Sequence, residues 1–320
     1  MKLGIQGNYF SGLPLEEALQ TCNRLGLAAI ELKTPGYPQS AQIDINTLLS
    51  EVSEVKKLKE KLEQHNLFIS ALSCSGNHVH PQKNIREPFQ DLFKRTIVLA
   101  EKMGIERLIT FSGCPGDSPS SQYPNWVTCP WPDDFLKVLD YQWNEVLLPY
   151  WTATAKFAKD HGVKICFEMH PGFCVYNPET FLKLRDKAGD NVGLNFDPSH
   201  LFWQGIDPVE VIKALGKSIF HMHAKDSFVD KKNVRMNGVL DTKHYKNVAE
   251  RAWTFRTVGY GNSAEKWKDI ISSLRVAGYD YVLSIEHEDC LMSREEGLQK
   301  AIDFLKPMII TEAATEMWWA

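Results

Sequence analysis

Lys164-Ile165-Cys166-Phe167-Glu168-Met169-His170 is too short for a typical helix, is apolar along most of its length, and carries an acid and a histidine at its C-terminal end. It reads as a β-strand. Side chains alternate along a strand, so Cys166, Glu168 and His170 share one face and Phe167 lies on the other. The same arrangement returns three times downstream. Residues 192–197 place Asn195 and Asp197 on one face and Phe196 on the other. Residues 219–223 pair His221 with His223 against Met222, and residues 281–286 pair Ser284 with Glu286 against Leu283 and Ile285. Upstream, residues 3–6, 28–32, 67–73 and 107–112 are four further short apolar runs. Runs of this kind mark parallel strands buried on both faces.

Longer stretches with helical spacing separate these runs. Leu48, Leu49, Val52, Val55, Leu58 and Leu62 form one such series, and Phe89, Leu92, Phe93, Ile97, Ala100 and Met103 another. Trp267, Ile270, Ile271 and Leu274, then Leu298, Ala301, Ile302 and Leu305, follow the same period. Asn177-Pro178 and Asp207-Pro208 read as N-caps with proline in the first turn, and Ser293-Arg294-Glu295-Glu296 as a capping box. Eight strands, each followed by a helix, predict an α/β protein built as a (β/α)8 TIM barrel, a single domain over residues 1–320. A doubly wound open sheet is the competitor, but the chain has neither G-x-G-x-x-G nor G-x-x-x-x-G-K-[ST]. Two long connections, at about 113–132 and 225–262, follow the fourth and seventh strands. They are expected over the C-terminal face, where barrel active sites form.

The bulky face of each strand should pack on the helices, which turns the polar face into the barrel. Glu168, Asp197, His223 and Glu286 then surround one mouth. Buried carboxylates need a counter-charge. Three carboxylates and an imidazole suit one divalent ion, Mn²⁺ first, with Mg²⁺, Co²⁺ and Zn²⁺ as the other candidates. Each residue alone has a plainer reading. Asp197 before Pro198 suits a helix N-cap, either glutamate a strand-end ion pair, and His223 a hydrogen-bonded core histidine. Shared parity on four strands favours the common site.

Composition narrows the classes. The 320 residues include 43% hydrophobic and 24% charged side chains, as in an ordinary globular protein, and the net charge of −4 gives no basic footprint for nucleic acid. No run of about 18 apolar residues predicts a membrane helix. Residues 1–6 lack the apolar core of a signal peptide, and seven cysteines with no C-x-x-C pair suit reduced thiols, so the expected location is the cytoplasm.

At these residues the sequence resembles the xylose-isomerase-like TIM-barrel superfamily, in its sugar-phosphate isomerase/epimerase branch. The matching segments are Phe167-Glu168-Met169-His170-Pro171-Gly172, Asn195-Phe196-Asp197-Pro198-Ser199-His200, His221-Met222-His223-Ala224-Lys225-Asp226 and Ser284-Ile285-Glu286-His287-Glu288-Asp289. The resemblance implies a metal held by Glu168, Asp197, His223 and Glu286. It also implies acid/base roles for the catalytic pair Glu168 and Glu286, and His200 at the substrate. Two positions depart from the ketose 3-epimerase pattern. Cys174 stands where a substrate-binding glutamate is expected, and Val229 where an arginine is expected. Both count against a free ketohexose or ketopentose.

Further polar residues near the mouth are candidates for substrate binding, each with a structural alternative. His170 also suits support of the metal, Asp226 a loop cap, His78 and His80 loop hydrogen bonding, and Arg256 a salt bridge. Glu288 also reads as a solvated loop acid. Trp126 and Trp131 read as a sugar-stacking wall or as packing for their loop. The expected activity is a sugar isomerase or epimerase working through an enediolate on a divalent metal. The alternative is a metal-dependent lyase that eliminates across a 3-keto-glycoside or C-glycoside, as C-glycoside deglycosidases resembling this superfamily do. A remote alternative is an endonuclease-IV-like DNA repair enzyme. Asp230-Lys231-Lys232 and Asp241-Thr242-Lys243-His244 supply no Asp-x-His pair for its extra zinc ions. The expected partner is a small carbohydrate, with no nucleic acid and no membrane. A homo-oligomer is compatible with the chain, as is a small partner subunit under the lyase reading.

Overall fold

The structure is a computed structural model and describes residues 1–37, 42–313, 317 and 319. Eight parallel strands close into a barrel: β1 (Lys2–Gln6), β2 (Ala29–Lys33), β3 (Phe68–Ser73), β4 (Arg107–Thr110), β5 (Lys164–Glu168), β6 (Val192–Phe196), β7 (Ile219–Ala224) and β10 (Val282–Ile285). β1 pairs with both β2 and β10, which shuts the ring. The expected TIM barrel is therefore the fold.

The parity of the strands sets the two sides of the wall. Phe167, Phe196, Met222, Leu283 and Ile285 belong to the large apolar core, in which helix residues such as Phe93, Trp151 and Trp267 are also buried. Cys166 turns the other way and meets Ala71 and Ile109 in a separate small cluster. The helix caps form as expected at Asn177 and Asp207, whose side chains accept from the backbone N–H groups of Thr180 and Val209. Ser293 accepts from Glu296 N–H, but Glu296 turns to Lys300 at 2.7 Å, so only half of that capping box is made.

Three features differ from the expected layout. The run from Leu48 to Leu62 is two helices, Ile45–Ser50 and Val52–Gln64, because Glu51 between them is extended. Several strands stop before their polar tips, so Asp197 and Glu286 stand just past β6 and β10 while Glu168 is the last residue of β5. The connection after β7 is not plain loop. It contains the antiparallel ribbon β8 (Asp226–Val229) and β9 (Trp253–Arg256) and the helix Lys231–Asn237. Trp203, Ala252 and Trp253 bury together under this ribbon as a small core of their own. All seven cysteines are unpaired thiols. Among the described residues, no helix is long and apolar enough to cross a membrane.

Candidate metal centre

Glu168, Asp197, His223 and Glu286 meet at the C-terminal mouth of the barrel, all buried, each with one donor atom within 4.8 Å of the others. His223 Nδ1 lies 2.9 Å from Glu286 Oε2 and 3.2 Å from Glu168 Oε2. Asp197 divides its two oxygens between two tasks. Oδ1 accepts at 2.8 Å from the N–H of Ser199, the first residue of the short helix Ser199–Phe202, although the N-cap position itself is Pro198 and not Asp197. Oδ2 is buried and accepts no hydrogen bond among the described residues. The His200 Nε2 lies 3.4 Å from it and the Lys225 ammonium 4.0 Å. A buried carboxylate oxygen left in this state is costly unless a cation meets it.

The proton distribution shows what a cation would displace. Burial raises the Asp197 pKa, and the neighbouring Glu168 and Glu286 raise it further against the pull of Lys225, so it lies well above the ordinary value. Burial alone would lower the His223 pKa, but Glu31, Glu286 and Glu168 raise it well above that of a free imidazole. Burial works against the charge of Glu168 too, yet hydrogen bonds from His200 and His223 hold its pKa well below normal. Lys225 and His223 overcome the same penalty at Glu286 and bring it to about 2. Two glutamates biased toward the anion thus face an aspartate and a histidine that are both biased toward keeping their protons. Three oxygens and one imidazole nitrogen form a donor set that fits a divalent ion of the Mn²⁺, Co²⁺ or Zn²⁺ type, which would take the place of those protons.

Three buried residues at this centre are not among the expected site residues, although strand alternation puts Asn195 on the inward face. Glu31 on β2 accepts from His223 Nε2 at 2.8 Å, which turns Nδ1 toward the carboxylates. Asn195 donates to Glu168 Oε2 at 3.0 Å and lies 3.0 Å from His223 Nδ1, while its Oδ1 meets His221 Nδ1 at 2.9 Å. Lys225 reaches Glu288 at 2.7 Å and Glu286 at 3.4 Å beneath the ring of Phe255. The signal was the same alternation: Glu31 is a charge within the run 28–32, and Lys225 shares parity with His223 one residue past β7.

The remaining candidates divide clearly. His200 joins the centre, with Nε2 3.0 Å from Glu168 Oε1, and burial and the nearby His170 lower its pKa to about 3. The His170 ring packs 4.2 Å from that of His200, its Nδ1 bonded to Pro171 O. Glu288 approaches through its bond to Lys225. Asp226 does not enter the cluster. Oδ2 accepts from the backbone N–H groups of Gly259, Gly261 and Asn262 and from Trp267 Nε1, and Oδ1 from Asn262 Nδ2 and Ser227 N–H. A side chain on Gly261 would strike Asp226 and Ser227, so that residue lets the loop close on the carboxylate. His78 is buried against Phe93 and Trp151 with Nε2 on Thr110, and burial lowers its pKa to about 4. His80 Nδ1 accepts from Gln82 N–H. Arg256 is tied to Asp289 at 3.1 Å. Trp126 lines a cavity with His170 and His200, whereas Trp131 is 75% exposed.

The family model for the xylose isomerase-like TIM barrel matches residues 19–308. The chain is 36% identical over 312 residues to the uncharacterized protein YfiH of Bacillus subtilis (strain 168), covering 97% of this chain and 99% of that protein. It is 29% identical over 177 residues to an inosose dehydratase of Clostridium botulinum (strain Alaska E43 / Type E3), covering 54% of this chain and 55% of the enzyme. Among solved structures, IolI with a bound zinc atom superposes with a TM-score of 0.63 at 20% identity, over 97% of this chain and 99% of that one. A D-psicose 3-epimerase crystallised in the presence of D-fructose gives 0.61 at 15% identity, with the same coverage. At those identities the structural likeness speaks for the fold.

Proposed function

Because this chain belongs to the xylose isomerase-like TIM-barrel family, we propose that it is a divalent-metal-dependent enzyme that removes a proton from the carbon beside a carbonyl in a sugar or cyclitol. The observation that carries this reading is the convergence of Glu168, Asp197, His223 and Glu286 within 4.8 Å. A divalent ion held there would act as a Lewis acid on the carbonyl oxygen. The protein's own residues supply the rest. Glu168 and Glu286 are held as anions on neighbouring parts of the mouth, and a carboxylate in that state accepts the proton. The C–H electron pair becomes the double bond of an enediolate. For isomerisation or epimerisation, a glutamate protonated from solvent returns a proton to carbon. His200, fixed by Glu168, presents its ring where substrate oxygens would meet it.

Dehydration is the second reading. It shares the first step, after which the electron pair expels hydroxide from the next carbon and a proton turns that hydroxide into water. The similarity to inosose dehydratases favours it, as do Cys174 and Val229, which depart from the epimerase pattern. Mn²⁺-loaded protein incubated in D₂O with an inosose and, separately, with D-fructose tests both readings. Deuterium entering beside the carbonyl without loss of water supports the isomerase or epimerase, and release of an unsaturated ketone supports the dehydratase. No exchange and no elimination from either compound would count against the shared first step.

A further inference from the structure

Beside the metal centre lies a cavity of about 330 Å³. Its inner end is His200, which touches Glu168, and His170. Its wall is aromatic: Trp126 from the loop after β4, Trp203, and Tyr245, Trp253 and Phe255 from the ribbon region after β7. A second cavity of about 450 Å³ opens on the other face of Phe255 and Tyr245. The first cavity lies near the lower end of the range of small-molecule pockets.

The aromatic wall is built and held in place. Trp203 and Trp253 stack at 4.5 Å with an interplanar angle of 4°, and Tyr245 stacks on Phe255 at 5.7 Å. The Arg251 guanidinium lies over both Tyr245 and Trp253, at 4.4 and 4.8 Å from their ring centres, and its Nε donates to Trp253 O. Trp253 Nε1 donates to Val239 O. Rings fixed before a ligand arrives lose little entropy on binding it. The one carboxylate in the wall, Asp241, is already engaged by Lys243 and by the Ala252 N–H. Its oxygens are thereby committed mainly to holding the loop. With the faces of the stacked rings engaged, the wall offers mainly apolar ring edges together with Trp126, which suits edge-on contact with another aromatic ring.

We propose that this cavity is a subsite for an aryl group, and that the substrate is an aryl-substituted sugar or cyclitol whose reacting carbons lie at the Glu168 side. The proposal rests on the reading of the metal centre given above and extends it to the substrate class. It also gives the ribbon a purpose, since β9 carries Trp253 and Phe255, two of the five aromatic residues of the wall.

Calorimetry on the full-length, Mn²⁺-loaded protein tests it with phenyl β-D-glucopyranoside, methyl β-D-glucopyranoside and cellobiose. The phenyl glucoside is expected to bind about tenfold more tightly than either of the others, the scale of one good aromatic contact. Trp126→Ala and Tyr245→Ala should each remove most of that margin while Mn²⁺ stoichiometry stays at that of the unmodified protein. Tyr245 is half exposed, so its truncation probes the wall without opening a core. A phenyl glucoside that binds no better than the methyl glucoside, with neither detectable included, overturns the subsite, and so does cellobiose binding as tightly as the phenyl compound. Mn²⁺ titration separates the two readings. A protein that takes up no Mn²⁺ sinks the function proposed above, whereas one that binds Mn²⁺ and shows no phenyl preference sinks the subsite alone.

Discussion

Glu168 has two oxygens and three partners: Oε1 meets His200, and Oε2 meets Asn195 and His223. Glu168→Gln keeps the size and one coordinating oxygen but removes the base. It should leave the fold and much of the Mn²⁺ binding intact while turnover falls by about 10²–10⁴. Near-normal turnover in single-turnover assays would take Glu168 out of the proton transfer. Glu31 works through another residue, by holding Nε2 of His223 so that Nδ1 faces the carboxylates. Glu31→Ala should weaken Mn²⁺ binding by about 10–100-fold, the usual effect of losing a carboxylate behind a ligand histidine. An unchanged Mn²⁺ affinity by titration calorimetry would reduce Glu31 to a packing residue. The four converging donors were legible in the sequence because alternation in a strand is strict and each donor stood against a bulky neighbour. Glu31 was missed because β2 ends in no histidine or Asp-Pro to draw attention. Lys225 was passed over in favour of Asp226, although 223 and 225 share parity and 226 does not.

At the scale of elements, Asp226 shows why a short motif cannot separate a site residue from a loop anchor. His-Ala-Lys-Asp reads the same either way. Only the folded loop shows three backbone N–H groups of residues 259–262 gathered on one carboxylate oxygen. Asp226→Asn trades an acceptor for a donor in that nest. It should cost about 3 kcal/mol, with Tm down by several degrees, because buried donors lose their acceptor. Mn²⁺ affinity should stay unchanged, since Asp226 is not among the converging donors. A normal Tm with a lost Mn²⁺ site would reverse that assignment. The eight barrel strands were readable because each is a local run. The ribbon was not, because β8 and β9 are four residues each, more than 20 residues apart, with no two-residue turn between them. Trp253 of the ribbon stacks on Trp203, a contact between distant parts of the chain.

For the whole molecule, the metal centre ties stability to pH, and the sign follows from which groups hold protons. The folded-state pKa values of Asp197 and His223 are both raised. Folding therefore gains from their protons at low pH, and that gain is lost as pH rises through the raised values. Glu286, lowered to about 2, acts in the opposite direction, but its contribution is lost only when pH falls below the ordinary glutamate value of 4.5. The metal-free protein should accordingly lose Tm as pH is raised above 6.5, the ordinary imidazole value, while Glu168, Asp197 and Glu286 come to repel one another without a counter-charge. Bound Mn²⁺ takes the place of the protons and adds roughly 3–4 kcal/mol at 100–1,000 times its dissociation constant. That corresponds to a Tm gain of about 5 °C for a chain of this size. The gain on adding Mn²⁺ to EDTA-treated protein should thus widen from pH 6.5 to pH 8.5, with release of protons on binding measurable by calorimetry in buffers of different ionisation enthalpy. Asp197→Ala, which removes both the orphaned oxygen and one of the groups with a raised pKa, should melt independently of Mn²⁺ and with a flatter pH profile than the metal-free parent. Equal melting of EDTA-treated and Mn²⁺-loaded protein at pH 8.5, together with normal Mn²⁺ binding by Asp197→Ala, would show that these four side chains converge for packing and not for a metal.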